Sequence, residues 1–453
     1  MSHAGFLRAI VAEPADDTAR LAYADFLEET GEPAHVARAQ FIRAQIEAHH
    51  LHENHPRREE VEARAEALFA DYWDEWWLPV CEATGLPLSR AGAAGFRELV
   101  ARFFGRGAAR VRLPYDPAYG TTLEVVQPRT PRPQTTLRTV TFVRGFPESI
   151  SLLGQLREVR EAVHAWTTAA PLASLHLHGT VGREWEVIDG EHLRGVRELV
   201  LDSCAANLLT AVGRSRHLPA IDTLALRPDR SNAAWPAEQY RAYADSGLAA
   251  RVRRLRVAVG RVAEVGALLG PHLDELVELS LGGPVSDEDL GLTAALTTGL
   301  TRFADLTNLK ELSLSGTTPH FAGGLVGWVC GRLQRLAVEG LPITRTLCDL
   351  IRDDHFPTLT DLAVASPEAL FPLCAALADS PLAGRLRHLR LTGSRRLPGG
   401  LRLPPEERAA CVRLARALDP ENLETLAQDR GVRDLPEVWG ELQERFPGRV
   451  SLV

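Results

Sequence analysis

The 453-residue chain predicts an α/β fold, a leucine-rich solenoid with a parallel sheet on its concave side and helices on its convex side, preceded by a small all-α domain. Three observations carry that expectation. Between Leu137 and Leu391 the pattern L-x-x-L-x-L, with Val, Ile or Phe replacing some Leu, recurs ten times. Successive copies start 24 to 35 residues apart, and the spacers between them are mostly helical in pattern. The residues before the first copy follow a different, wholly helical rhythm. Short apolar triplets recurring at such a period belong to units that cannot bury their apolar faces alone and must stack.

The N-terminal region reads as four helices. Phe6 to Val11 form a short apolar helix stopped near Pro14, and Asp16 or Asp17 can cap a second helix running from Thr18 to Thr30, where Gly31 supplies a stop. Leu21, Ala22, Tyr23, Phe26 and Leu27 make its apolar face. A third helix spans Pro33 to about His50, with Val36, Ile42 and Ile46 as buried candidates, and a fourth runs from about Pro56 to Cys81. In the fourth, Phe69, Tyr72, Trp73, Trp76, Trp77 and Val80 recur at three and four residues. That spacing favours a core stripe over a partner groove.

Several short blocks here carry a resemblance. Phe6-Leu7-Arg8-Ala9-Ile10, Glu13-Pro14-Ala15-Asp16-Asp17, Leu21 to Glu29, Gly31, and Arg38 to Gln45 stand in the order found in the bacterial repeat-companion domain, an N-terminal module that accompanies leucine-rich and other repeats. Phe26 stands where that family usually has Trp, and Ala39-Gln40 where it usually has Gly-Glu. Arg144-Gly145-Phe146-Pro147-Glu148 resembles the junction that opens the repeats in such proteins. The resemblance implies an architecture, a helical companion followed by leucine-rich repeats, and carries no activity.

The expected organisation is therefore a helical companion over 1–106, an irregular cap over 107–136, repeats over 137–420 and a C-terminal cap over 421–453. The copies start at Leu137, Leu172, Val196, Ile221, Val252, Leu276, Leu309, Leu333, Leu359 and Leu386. Alternate strand residues point to opposite faces, so the last two apolar positions of each copy face inward and their neighbours face out. Each inward Leu contributes roughly 1.5–3 kcal/mol on burial. One repeat cannot offset the ordering of more than twenty residues at about 1–2 kcal/mol each. Spacers such as 207–218, 237–249, 287–304 and 406–418 are long enough for two to four helical turns, as in the ribonuclease-inhibitor class of repeats. Beyond the last copy, Leu423 and Leu426 begin a degraded one, and Val438, Trp439, Leu442, Phe446 and Val450-Ser451-Leu452 would close the stack. Of the positions three residues after the last Leu, where many such repeats place Asn or Cys, only Cys204 fits; Asp229, Thr317 and Ser394 are polar substitutes, whereas Pro284 and Leu341 are not.

On this register the outward stripe carries His176, His178, Glu198, Asp202, Arg227, Arg254, Arg256, Glu278, Ser280, Glu311, Ser313, Arg335, Glu339, Asp361, His388 and Arg390. Both signs are interleaved. A face of that kind suits a protein or peptide of matching charge better than a polyanion. The net charge of -8 likewise argues against binding nucleic acid through phosphate contacts. Positive charge is almost wholly Arg, with Lys310 the one lysine, a bias read as genomic.

No catalytic constellation emerges. G-x-S-x-G, H-E-x-x-H and a phosphate loop are absent, and Gly105-Arg106-Gly107 lacks the third glycine and the preceding strand of a dinucleotide fingerprint. His176 and His178 share one strand face with Glu198 and Asp202 on the next, but no third ligand at fixed spacing supports a metal, so carboxylates hydrogen-bonding the histidines is the favoured reading. The run His49-His50-Leu51-His52-Glu53-Asn54-His55 reads as solvated, with adventitious metal affinity at most. Six scattered cysteines, Cys81, Cys204, Cys330, Cys348, Cys374 and Cys411, predict buried free thiols. With no apolar leader or membrane-length run, a cytoplasmic location follows. The sequence thus predicts a non-enzymatic interaction scaffold without cofactor or metal. Two other classes stay open: a regulatory or sensor subunit in defence or proteolysis control whose effector is a separate chain, and an enzyme centred on His176.

Overall fold

A computed structural model describes residues 2–13, 16–51, 55–84, 121–124, 136–155, 163–164, 166–167, 170–181, 188, 190–204, 207–227, 237–258, 272–282, 306–315, 330–340, 345–366, 370–393, 405–428 and 436–452. Expectations for the 105–107 glycine turn, for positions 229, 284, 317, 341 and 394, for the spacer 287–304, for His52, and for most of the 107–136 cap lie outside these residues. The chain divides into two compact units, Met1–Glu53 with Arg57–Ile221, and Asn54–Pro56 with Asp222–Val453.

In the first unit, helices α1 (His3–Ala12), α2 (Asp17–Glu29), α3 (Pro33–His50) and α4 (Pro56–Thr84) follow the local rules for starts and stops. The Ser2 hydroxyl accepts from Gly5 N–H at 3.3 Å, and the Asp16 carboxylate accepts from Thr18 N–H at 2.9 Å. Pro33 opens α3, where its missing N–H costs nothing. The buried residues of α2 are Arg20, Tyr23, Ala24 and Leu27, one face at helical spacing. Leu21, expected on that face, is rotated about a quarter-turn away and exposed at 38%.

Strands β1 (Thr121–Glu124), β2 (Thr136–Val143) and β3 (Phe146–Gln155) pair antiparallel. Only Arg144 and Gly145 separate β2 from β3, with φ of 50° and 87°. Two successive positive φ values are the mark of a type I′ turn, whose twist matches that of the strands it joins. So short a link forbids a parallel pairing. The copy at Leu137, Val140 and Phe142, expected as a repeat rung, is therefore the antiparallel arm of a hairpin. The first parallel rung is β3, whose Ile150 and Leu152 lie opposite Leu175 and Leu177 of β4 (Ser174–Val181), followed by Leu199 and Leu201 of β5 (Glu198–Asp202).

The hairpin turn docks into the helices. Gly145 N–H donates to Gln45 Oε1 at 2.6 Å, and Gln45 Nε2 donates to the Phe142 carbonyl at 2.9 Å, so one buried amide satisfies two main-chain groups. Phe146 enters a core of Ile10, Tyr23, Ala24, Leu27, Ala39, Ile42 and Ile46. The guanidinium carbons of Arg20 and Arg38 stand 5.1 and 5.6 Å from its ring centre, within cation–π range. Arg20 Nη2 reaches Glu148 at 2.6 Å with both side chains buried, and Arg144 bridges Asp17 at 3.1 Å and Glu148 at 3.2 Å. On α4, Phe69 and Trp76 pack on Phe41 and Phe142, and Trp76 Nε1 donates to the Ala34 carbonyl at 3.3 Å. That part of the aromatic stripe is core.

The second unit holds β6 (Thr223–Arg227), β7 (Arg254–Ala258), β8 (Glu278–Gly282), β9 (Glu311–Ser315), β10 (Arg335–Glu339), β11 (Asp361–Ser366), β12 (His388–Gly393), β13 (Thr425–Gln428) and β14 (Val450–Leu452) in one parallel ladder. The register aligns Leu224, Leu255, Leu279, Leu312, Leu336, Leu362, Leu389 and Leu426 in a single row, and each is at most 2% exposed. A shared carbonyl locks each step from β6 to β13: Val277, for example, accepts from Lys310 and Glu311 N–H at 2.9 and 3.0 Å, and Lys310 from Gln334 and Arg335 at 2.8 and 3.0 Å. Helices Arg345–Arg352, Phe371–Ala378 and Pro405–Ala417 and short 3-10 turns return the chain. Leu442 and Phe446 are buried in the segment that leads into the last strand, β14.

Two substitutions test this construction. Leu312→Ala removes a fully buried rung and is expected to cost about 2–5 kcal/mol in denaturant titration, whereas Ser313→Ala next to it changes little; equal effects mean the register is wrong. Gly145→Ala would place a Cβ 2.9 Å from Ile42 Cβ and 3.0 Å from Ile42 Cα on a backbone of positive φ. A loss of more than about 1 kcal/mol is expected, and an unchanged thermal transition would refute the docked turn.

Candidate functional site

Period-two alternation lays three polar rows on the outward face of the second unit. The first reads Arg254, Glu278, Glu311, Arg335, Asp361, His388 across neighbouring strands, and the second Arg256, Ser280, Ser313, Ala337, Ala363, Arg390. Gly282, Ser315, Glu339, Ala365 and Thr392 form the third. Charges of both signs thus border a strip of small side chains. Burial alternates as the register requires, with Glu278, Glu311, Arg335 and Asp361 half-buried and Leu279, Leu281, Leu312 and Leu314 buried.

Arg256 Nε donates to Glu278 Oε1 at 2.9 Å, and Arg254 Nε lies 3.8 Å from Glu278 Oε2. His388 departs from its neighbours at 7% exposure. Its Nδ1 lies 2.9 Å from the Thr425 hydroxyl on the next strand, and its Nε2 stands 3.9 Å from Asp361 and 3.7 Å from Glu424. Thr425 packs beside the ring and keeps it from solvent; Thr425 itself is 0% exposed. Arg227 and Glu339 are exposed, while Arg390 and Ser313 are half-buried. Thr425 and Glu424 were not among the sequence candidates, though the degraded copy at Leu423 and Leu426 brackets both of them.

In the first unit the register brings together residues that the sequence held apart. His178 lies opposite Asp202 and His176 opposite Val200, whereas Glu198 lies opposite Ser174. The imidazole rings are 3.9 Å apart, with His178 Nδ1 3.3 Å and His176 Nε2 3.7 Å from Asp202 Oδ2. The His176 and His178 rings hold the Asp202 carboxyl well below the usual carboxylate range, against the opposite effect of its burial. Cys204 sits where its position in the repeat predicts, buried, its Sγ donating to the Leu177 carbonyl of the preceding rung at 3.1 Å. Cys204, Cys348, Cys374 and Cys411 are free thiols and the first three are buried. His50, within the histidine run, contacts Asp17 Oδ2 at 2.8 Å.

Parallel strands in register, two buried aliphatic residues per rung and helical or 3-10 returns define a leucine-rich repeat protein of the α/β class with an N-terminal helical segment. A solved internalin from Listeria monocytogenes is similar at 14% identity over 65% of this chain and 78% of that one, with a TM-score of 0.32. No protein-family model and no curated protein matches the chain. The fold assignment rests on the strand register itself. Among the described residues no helix is long and apolar enough to cross a membrane.

Burial, then the charge of Glu278, raises the Glu311 carboxyl above its ordinary value, against the pull of Arg335 and Arg254. A carboxyl whose pKa is higher folded than unfolded costs stability while ionised, and the cost disappears below the unfolded value. Glu311→Gln is therefore expected to raise the melting temperature at pH 7 and to lose that advantage as the pH falls below about 4. A destabilised variant at pH 7 would contradict the arrangement.

Proposed function

We propose that the chain is a non-enzymatic, cytoplasmic interaction scaffold that binds a protein or peptide on the concave, outward face of its repeats. The observation that carries this reading is the pair of adjacent rows on β7 to β12. A strip of Ser and Ala leaves the main chain approachable, and the charged row beside it carries both signs, with Glu278 and Glu311 flanked by Arg254 and Arg335, so a partner segment lying across the strands meets both shape and charge selection. Rigid strands hold these groups in place at little entropic cost on binding.

The helical module is read as a repeat-companion domain on the residue blocks around Leu21 to Glu29 and Arg38 to Gln45. Its interior meets the turn Arg144-Gly145-Phe146, so in this reading its first task is to seal the open end of the hydrophobic stack.

The test is affinity capture from cells that produce the chain, followed by binding measurement with the captured protein. The parent is expected to retain one stoichiometric protein. Arg254→Glu with Arg335→Glu should weaken it at least about tenfold, and Arg345→Glu, 95% exposed on a return helix, should not. Loss of binding in the helix-side variant alone would overturn the assignment of the face.

A further inference from the structure

The alignment that pairs Leu177 with Leu201 sets one more group in place. We propose that His176, His178 and Asp202 form a binding site for a divalent transition-metal ion of the zinc type on the outward face of the first unit. Two imidazole nitrogens and a carboxylate oxygen are a donor set such ions take, whereas calcium and magnesium favour all-oxygen shells.

The geometry is close to what an ion needs. Donors held about 2.0–2.2 Å from a tetrahedral centre are separated from one another by roughly 3.3–3.6 Å. Asp202 Oδ2 lies 3.3 Å from His178 Nδ1 and 3.7 Å from His176 Nε2, and donor atoms of the three residues all fall within 4.8 Å of one another. Among the described residues no other three His, Cys, Asp or Glu side chains converge in this way. The three side chains are 19%, 15% and 26% exposed, sheltered yet open to an entering ion.

Support from behind the donors is also in place. Ser203 Oγ donates to Asp202 Oδ1 at 2.9 Å, which leaves Oδ2 turned to the imidazoles. Ser203 holds a left-handed backbone, φ 55°, uncommon for a residue with a side chain. Cys204 Sγ pins the turn through the carbonyls of Leu177 and Asp202 at 3.1 and 3.4 Å. Leu175, Leu177, Leu199 and Leu201, all 0% exposed, lock both strands. Three protein donors leave the fourth position to water or to a ligand atom brought by a partner.

The sequence set both Glu198 and Asp202 on the strand next to this pair of histidines; strand register picks out Asp202 and places Glu198 opposite Ser174. The bland alternative is a carboxylate that only hydrogen-bonds two imidazoles, and the experiment separates the two. Full-length protein stripped with chelator is titrated calorimetrically with zinc chloride and, separately, with cobalt chloride followed by visible absorption. One equivalent of zinc binding at about 1 μM or tighter, a four-coordinate cobalt spectrum and a zinc-dependent rise in melting temperature are expected. His178→Gln and Asp202→Asn should each weaken zinc at least about tenfold while keeping the parental circular dichroism, and His50→Ala should leave it unchanged. His176→Ala serves where either of the first two fails to fold. Absence of a saturable one-equivalent site, or a site that survives in His178→Gln and Asp202→Asn and vanishes in His50→Ala, would overturn the proposal.

Discussion

Everything in the repeats depends on aliphatic side chains from successive rungs meeting in register. A pair such as Leu312 and Leu314 buries too little surface alone to hold its own return segment in place, but each pair is flanked by Leu279 and Leu281 on one side and Leu336 and Val338 on the other. Parallel pairing then fixes which residues face out, because a slip of one position would turn every leucine to solvent and every charge inward. The shared carbonyl at each step enforces the same phase on the main chain. The outward rows are a by-product of burying the inward ones.

Each unit protects the outermost strands that it holds. In the first unit α1, α2 and α3 receive the hairpin turn, with Phe146 as the plug and Gln45 answering the polar groups of the turn, and α4 packs on Phe142. Burying Arg20 against Glu148 is costly unless both charges are paired, and Arg144 and Asp17 complete the network. Such a cluster contributes orientation more than net stability, since it accepts one docking geometry only. At the C-terminal end Leu442, Phe446 and β14 do the same with apolar groups.

Much of this was legible in the chain. Period-two leucines gave inward positions correctly from Leu175 to Leu391, and capping residues placed the helices within a few residues, because both signals are local. What was not legible depended on pairing. The triplet at Leu137 has the repeat pattern, yet the two-residue turn Arg144-Gly145 makes it a hairpin arm, and the real first rung, Ile150 and Leu152, follows the stretch Arg144 to Glu148 that resembles a junction opening the repeats. Arg20 looks like a solvated helix residue and is fully buried, because its partner Glu148 is remote in sequence. The repeat pattern set Glu198 and Asp202 together beside the two histidines, and only the pairing of Leu177 with Leu201 shows that Asp202 meets them while Glu198 lies opposite Ser174. His388 is outward in pattern and still buried, because Thr425 stands beside it.

Site-by-site thiol reactivity tests the central claim most directly. Single cysteines placed at 312, 313 and 314, and likewise at 336, 337 and 338, would be labelled with a small alkylating reagent in the folded chain and the rates read by mass spectrometry against the native thiols. The account predicts fast labelling at 313 and 337 and protection by at least about a hundredfold at the flanking positions, since reaching them requires opening of the stack. Uniform rates along either strand, or protection at 313 and 337 instead, would contradict it.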